Sequence, residues 1–263
     1  MQSIRIDGTG LTVSRIGFGT GSLHHLLRAS DRRRVLDTAL DCGMTHFDTS
    51  PYYGFGLAES ELGAFLRDKR DRITVASKIG IYAPGRGRGG VASIWARKIA
   101  GRVLPGLNRA RVDGSLRVAQ SSFERTMERF GRDYLDLLYL HEPDAELLET
   151  EEIERWLRGL QASGRIREFG LAGETPTLRE WAIRGHPLAR VIQTRDSIVR
   201  KEADFLTKSG RAIQFTYGYG SGSLPSARGA EVYHQALERN STGAVLMSTG
   251  KPARIREVAE ALG

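Results

Sequence analysis

The chain of 263 residues has a single cysteine, Cys42. One thiol cannot close an internal disulfide, nor can it supply a cysteine-based metal cluster, and no metal site is expected. The setting Leu40-Asp41-Cys42-Gly43-Met44 suits a buried structural thiol better than a reactive one. Long hydrophobic runs are missing too. The longest are strand-sized, so no segment is expected to span a bilayer, and no basic-then-apolar leader opens the sequence; both features predict a cytoplasmic protein without a membrane partner. No Pro/Gly/Ser-rich stretch divides the chain, which predicts one domain over residues 1–263.

Acidic residues are outnumbered: 39 Lys and Arg against 31 Asp and Glu, a formal charge of +8. The excess is spread over many helix-like segments and interleaved with acid, as in Glu151-Glu152-Ile153-Glu154-Arg155, and is densest between Arg86 and Arg111. That distribution suits a solvated loop biased toward small anionic ligands better than a polynucleotide track, so no nucleic-acid partner is expected. With 40% hydrophobic and 27% charged residues, the composition is that of an ordinary globular protein with ample core.

Ile4-Arg5-Ile6 and Leu11-Thr12-Val13 flank Gly8-Thr9-Gly10, which predicts a short capping hairpin. From Ile16 onward strand-like and helix-like segments alternate. Strands are expected at Ile16–Gly21, Met44–Asp48, Ile73–Ser77, Tyr134–Leu140, Ile166–Ala172, Arg190–Gln193, Ala212–Thr216 and Ala244–Met247. Helices follow at Ser30, Leu57–Leu66, Ser115–Phe130, Thr150, Thr175-Pro176, near Ala203, Gly229–Leu237 and Pro252–Leu262. Eight such units predict an α/β fold, a (β/α)₈ TIM barrel, with a doubly wound sheet as the alternative. The excursion from Gly80 to Gly114 breaks the short-loop rule; it overhangs the C-terminal face on the barrel reading, and residues 93–100 read as a short helix.

In a barrel the chemistry sits where strands end. Asp48 ends the second strand with Tyr53 just beyond it, Lys78 ends the third, and His141 ends the fourth. Each has a structural reading: Asp48 as a turn cap, Tyr53 as packing, Lys78 as a solvent-facing exit residue, His141 as a satisfied core imidazole. Together they are a carboxylate, a phenol, an ammonium and an imidazole at successive strand ends, a candidate catalytic set.

These stretches resemble the aldo-keto reductases: Asp48-Thr49 with Tyr53-Gly54, Glu59-Ser60-Glu61-Leu62-Gly63, Ser77-Lys78-Ile79-Gly80, and Leu138-x-Leu140-His141-x-Pro143-Asp144. The likeness runs over essentially the whole chain. It implies hydride transfer from NADPH to an aldehyde or ketone, with Tyr53 donating the proton, Lys78 lowering the phenol's pKa, Asp48 orienting Lys78, and His141 hydrogen-bonding the substrate oxygen. Two other readings remain open: a Schiff-base aldolase using Lys78, and a cofactor-binding regulatory protein with little turnover.

Tyr217-Gly218-Tyr219-Gly220-Ser221-Gly222-Ser223 and Ser248-Thr249-Gly250-Lys251-Pro252 follow the last two strands, where barrels often hold phosphate. The resemblance implies that Tyr217 stacks on nicotinamide, Gln193 holds its carboxamide, and Ser248, Thr249, Gly250, Lys251 and Arg254 grip the adenosine phosphates. Thr20, Asp48, Gly218, Gly220, Ser221 and Glu257 complete the implied cofactor set. Lys251 and Arg254 beside a 2′-phosphate would favour NADPH over NADH. The substrate pocket would draw on Gly21, Tyr52, Phe55, Tyr82 and Trp95, and a monomer or weak homo-oligomer is expected. The chain departs from the family pattern where Ala172-Gly173 replaces a Ser-Asn pair, where Val258 replaces an Asn near the adenine, and where it ends at Gly263 without a pocket-closing tail.

Overall fold

The computed structural model describes residues 1–82, 111–221 and 229–263. β1 (Ser3–Arg5) and β2 (Thr12–Ser14) form the antiparallel hairpin, with Ile4 opposite Val13. Thr9 closes its turn, donating from Oγ1 to the Ile6 carbonyl at 2.8 Å and accepting from the Leu11 amide at 3.0 Å. Ile6, Leu11 and Val13 are buried in one cluster with Phe215, Val191, Ala244 and Tyr139. The hairpin therefore plugs the bottom of the barrel.

The barrel strands are β3 (Ile16–Gly19), β4 (His46–Asp48), β5 (Thr74–Ile79), β8 (Leu135–His141), β9 (Ile166–Gly173), β10 (Val191–Arg195), β11 (Phe215–Tyr217) and β12 (Ala244–Met247). All pairings are parallel, and β12 closes on β3 through Val245 opposite Ile16. The architecture is the expected (β/α)₈ barrel. Its strands are buried nearly end to end because a barrel strand is covered on both faces, by the barrel interior and by the helices. β6 (Ile81–Tyr82) and β7 (Arg111–Val112) pair as a small antiparallel ladder at the base of the long excursion; the short helix expected at 93–100 lies outside the described residues.

β12 keeps the bounds read from the sequence, the other strands shift at one end or both, and the shifts of β4, β5 and β11 bear on the site. β4 begins at His46, since the Met44 amide still closes the preceding helix by donating to the Ala39 carbonyl at 2.9 Å. β5 starts at Thr74 and runs to Ile79, so Lys78 is its penultimate residue. β11 is Phe215–Tyr217 because Gln214 works below the barrel: its Oε1 accepts from the Ile192 amide at 2.7 Å and its Nε2 donates to the Asp7 carbonyl at 2.8 Å.

The helices Ala29–Asp41, Leu57–Leu66, Leu116–Phe130, Thr150–Ala162, Thr175–Ile183, Asp204–Lys208, Ala230–Arg239 and Pro252–Ala261 form the outer ring. The Leu57–Leu66 and Leu116–Phe130 pair packs unusually close at Gly63: a Cβ there would stand 2.1 Å from the Arg129 carbonyl oxygen. The glycine of the Glu-Ser-Glu-Leu-Gly run is thus a helix-contact residue. Cys42 is half-buried, with its thiol pushed up mainly by burial, which suits an inert thiol. Among the described residues no helix is long and apolar enough to cross a membrane.

Candidate active site

Asp48 is the last residue of β4 and lies opposite Ala76 on β5, so Lys78, two residues further on, projects from the same face. Lys78 Nζ donates to both oxygens of Asp48, at 2.6 and 2.7 Å, and to the Thr49 carbonyl at 2.9 Å. Both side chains are buried. Gln193, from β10, donates its Nε2 to Asp48 Oδ2 at 2.9 Å, so the carboxylate is held from two strands. Behind Lys78, Ser77 donates to the fully buried Glu59, which also accepts from Thr126 and pairs with Arg129 at 2.6 Å.

Tyr53 reaches this centre through a local backbone device. Gly54, Phe55 and Gly56 are consecutively left-handed (φ 59, 56 and 89), and a Cβ on Gly54 would come within 2.6 Å of the His24 Cβ. Glycine is therefore required at 54. The turn lays the Tyr53 ring over the ammonium, with Lys78 Nζ 5.2 Å from its centroid, and a Cβ on Gly21 would lie 3.8 Å from the same ring. His141 ends β8, and its Nδ1 has no hydrogen-bond partner among the described residues.

Burial sets the protonation of these groups. The His141 imidazole is pushed down to about 3, by desolvation first and the Lys78 charge second, so it is neutral at physiological pH. The Tyr53 phenol is pushed well up, by burial, then by Asp48 and Glu142. The sequence reading had Lys78 lowering it. In the structure that ammonium is neutralised by Asp48 at contact distance, and desolvation dominates. Burial likewise draws the Lys78 ammonium down, opposed by Asp48.

The four groups open into one cavity of about 610 Å³ at the C-terminal mouth. Of the residues expected around cofactor and substrate, Gln193, Tyr217, Gly218, Gly220, Ser221, Ser248 and Arg254 line it, as do Gly21 and Tyr52. Others do not. Thr20 is fully buried behind Asp48, donating to its carbonyl at 3.1 Å. Thr249 serves its own turn, accepting from the Lys251 amide at 3.2 Å, while Gly250 rests on the Leu26 side chain. Lys251 and Glu257 are exposed outside the cavity, Glu257 against Gly229. Phe55 and Tyr82 are not among its lining residues, and Trp95 lies outside the described residues.

Sequence reasoning missed Ile81, Glu142 and Tyr233, all of which line the cavity. Glu142 adjoins His141, and adjacency was its available signal; Tyr233 comes from a helix face and offered none. The loop after β11 is braced from beneath by buried Asp196, which accepts from Tyr219 Oη at 2.6 Å and from Arg239 Nε at 2.7 Å. Gly220 leaves a gap between the Tyr233 hydroxyl, 3.1 Å from where its Cβ would be, and the Arg254 guanidinium at 3.9 Å. Arg254 has no ion pair among the described residues.

Fold and site together define a parallel (β/α)₈ barrel with a four-group polar centre and a glycine-rich, basic rim at one mouth. The chain belongs to the aldo/keto reductase family, whose model matches residues 15–206. It is 29% identical to a pyridoxal 4-dehydrogenase of Microbacterium luteolum, over 85% of this chain and 72% of that protein. It is 27% identical to an NADH-specific methylglyoxal reductase of Escherichia coli, over 76% of this chain and 60% of that one. Several other relatives are matched over about half their length, 50% and 47% in two cases. In fold it is similar to the glycerol dehydrogenase of Gluconobacter oxydans, at a TM-score of 0.73 and 19% identity, covering 99% of this chain and 90% of that one. The relatives are dehydrogenases and reductases, which supports an oxidoreductase, and members of the family use nicotinamide cofactors.

Proposed function

We propose that the chain is an NADPH-dependent oxidoreductase that interconverts a small aldehyde or ketone with its alcohol, with Tyr53 as the proton donor in reduction. The observation that carries this reading is the buried Asp48–Lys78 pair beneath Tyr53 and His141 in a single cavity. The residues present suit a dinucleotide. Tyr217 offers an aromatic face beside the polar centre, Gly218 and Gly220 allow close approach, and Arg254 offers a cation without an acidic partner among the described residues. Gln193 spends its Nε2 on Asp48, which leaves its Oε1 to accept from a carboxamide.

When bound, the reduced nicotinamide supplies a hydride to the carbonyl carbon. The substrate oxygen then needs a proton, and Tyr53, kept protonated by burial, donates it. The phenolate left behind faces the Lys78 ammonium, whose position Asp48 holds. Neutral His141 gives its N–H to the same oxygen and orients it. Lys251 and Arg254 toward a 2′-phosphate favour NADPH, Lys251 from outside the cavity. The reading extends to a cytoplasmic monomer or weak homo-oligomer, which cell fractionation and sedimentation test.

Loss of dihydronicotinamide absorbance against a panel of aldehydes tests the activity. Tyr53→Phe should lower turnover by about 10²–10⁴-fold while cofactor binding persists; an unchanged rate sinks the assignment. NADPH should bind more tightly than NADH, and equal dissociation constants would remove that preference. Lys78 Nζ makes three hydrogen bonds, two to a carboxylate, which supports the proton-transfer reading over a Schiff base.

A further inference from the structure

Glu142 is the acidic residue of the cavity to which the reduction mechanism gives no task. It follows His141 directly and holds a left-handed backbone (φ 48), a conformation that a residue with a Cβ adopts at a cost. Its amide donates to the Ala172 carbonyl at 2.7 Å, which ties it to the end of β9. The carboxylate accepts from the Glu174 amide, at 3.1 Å to each oxygen, and from Thr177 Oγ1 at 2.7 Å. Both donors are neutral. Among the described residues it has no cationic partner, unlike Asp48.

The carboxylate also fills a specific place. A Cβ on Gly173 would stand 2.6 Å from Glu142 Oε2 and 2.9 Å from its Cδ, so a side chain at 173 and the Glu142 carboxylate exclude one another. Position 173 is where the family pattern puts the amide of its Ser-Asn pair. Glycine at 173 and glutamate at 142 thus exchange a neutral amide for a negative charge. The charge acts across the cavity: after burial, Glu142 is the largest influence raising the Tyr217 phenol, and it adds to burial and Asp48 at Tyr53.

We propose that Glu142 sets the redox preference of the site, its negative charge holding the cationic oxidised nicotinamide more tightly than the neutral reduced ring and so favouring hydride donation to the carbonyl. This rests on the oxidoreductase reading above. In that direction the carbonyl carbon gains the hydride, its oxygen takes the proton of the neutral Tyr53 phenol, and the alcohol results. Two electrons leave the reduced cofactor, the carbonyl takes them, and Tyr53 recovers its proton from solvent. The cap on the Thr175–Ile183 helix is a separate duty of the same side chain. Glutamine can perform it with its one carbonyl oxygen, which makes charge and capping separable.

The test is the ratio of dissociation constants for NADP⁺ and NADPH, and for NAD⁺ and NADH, measured by titration calorimetry on the full chain. Glu142→Gln should raise the oxidised-to-reduced ratio by about tenfold, the size expected for one charge acting over several ångströms at intermediate dielectric. Glu142→Gly, which suits the left-handed backbone and also removes the charge, should shift the ratio the same way and guards against misfolding of the glutamine variant. Glu146→Gln, an exposed acid in the same loop, should leave it unchanged. A ratio within about twofold of the parent in both Glu142 variants, with both cofactor forms binding, overturns this inference alone. If neither form binds the parent, the oxidoreductase reading falls and takes the inference with it.

Discussion

Replacing Lys78 by methionine removes the ammonium while keeping a long apolar stem, and its effect can be worked out from the contacts. The side chains of Lys78 and Asp48 are 1% and 5% exposed, and Nζ makes bonds of 2.6 and 2.7 Å to the carboxylate. Without them Asp48 retains the Gln193 amide as its donor, in a place water scarcely reaches. Deleting one partner of a buried ion pair costs about 3–5 kcal/mol, most of it the penalty of a stranded charge. At about 2–4 °C per kcal/mol for a large domain, the unfolding midpoint should fall by about 6–20 °C. Calorimetry reads the midpoint and urea unfolding the free energy. Asp48→Asn added to Lys78→Met removes the stranded charge and should recover most of the lost stability, while turnover stays absent in both. A single variant within about 1 kcal/mol of the parent, or a double variant no more stable than the single, would refute the view that the pair is a desolvated unit.

Buried His46 and half-buried His141 predict an acid-sensitive fold. Burial pushes His46 from 6.5 down to about 4, and His141 to about 3, so the unfolded chain binds protons that the native one refuses. Stability is therefore complete above pH 6.5 and falls as the pH drops toward 4, by about 1.4 kcal/mol per pH unit for each histidine. Urea unfolding across that window should show the slope, and His46→Gln should lose its share; a flat parent curve contradicts the assignment. Two glycines in helices should respond oppositely to alanine. Gly63→Ala forces a Cβ into the Arg129 carbonyl and should cost about 1–3 kcal/mol, whereas Gly159, with open space around it, should gain about 0.5–1 kcal/mol, both read by chemical denaturation.

What the sequence by itself determined is whatever a local pattern encodes. Apolar strand runs alternating with helical periodicity specify eight βα units, and the barrel's parallel order then brings all strand ends to one mouth. Asp48, Lys78 and His141 could be placed together without coordinates because each is tied to a strand end, and Tyr53 because a glycine follows it in a turn. Closure of the barrel decided the rest. Gln214 leaves the predicted strand to satisfy Ile192 and Asp7, groups 22 and 207 residues away in sequence. Thr20 is drawn beneath Asp48 instead of facing the cavity, and Glu59 is buried behind Lys78 by partners 18 and 67 residues distant. The Tyr53 phenol rises rather than falls because desolvation and the Asp48 pairing outweigh the nearby ammonium, a balance that depends on burial and distance. Glu142 shows the division most clearly. Its place in the chain is plain beside His141, but its relation to Gly173 and Thr177 exists only because β8 and β9 lie side by side, and spacing along a chain does not encode contact across it.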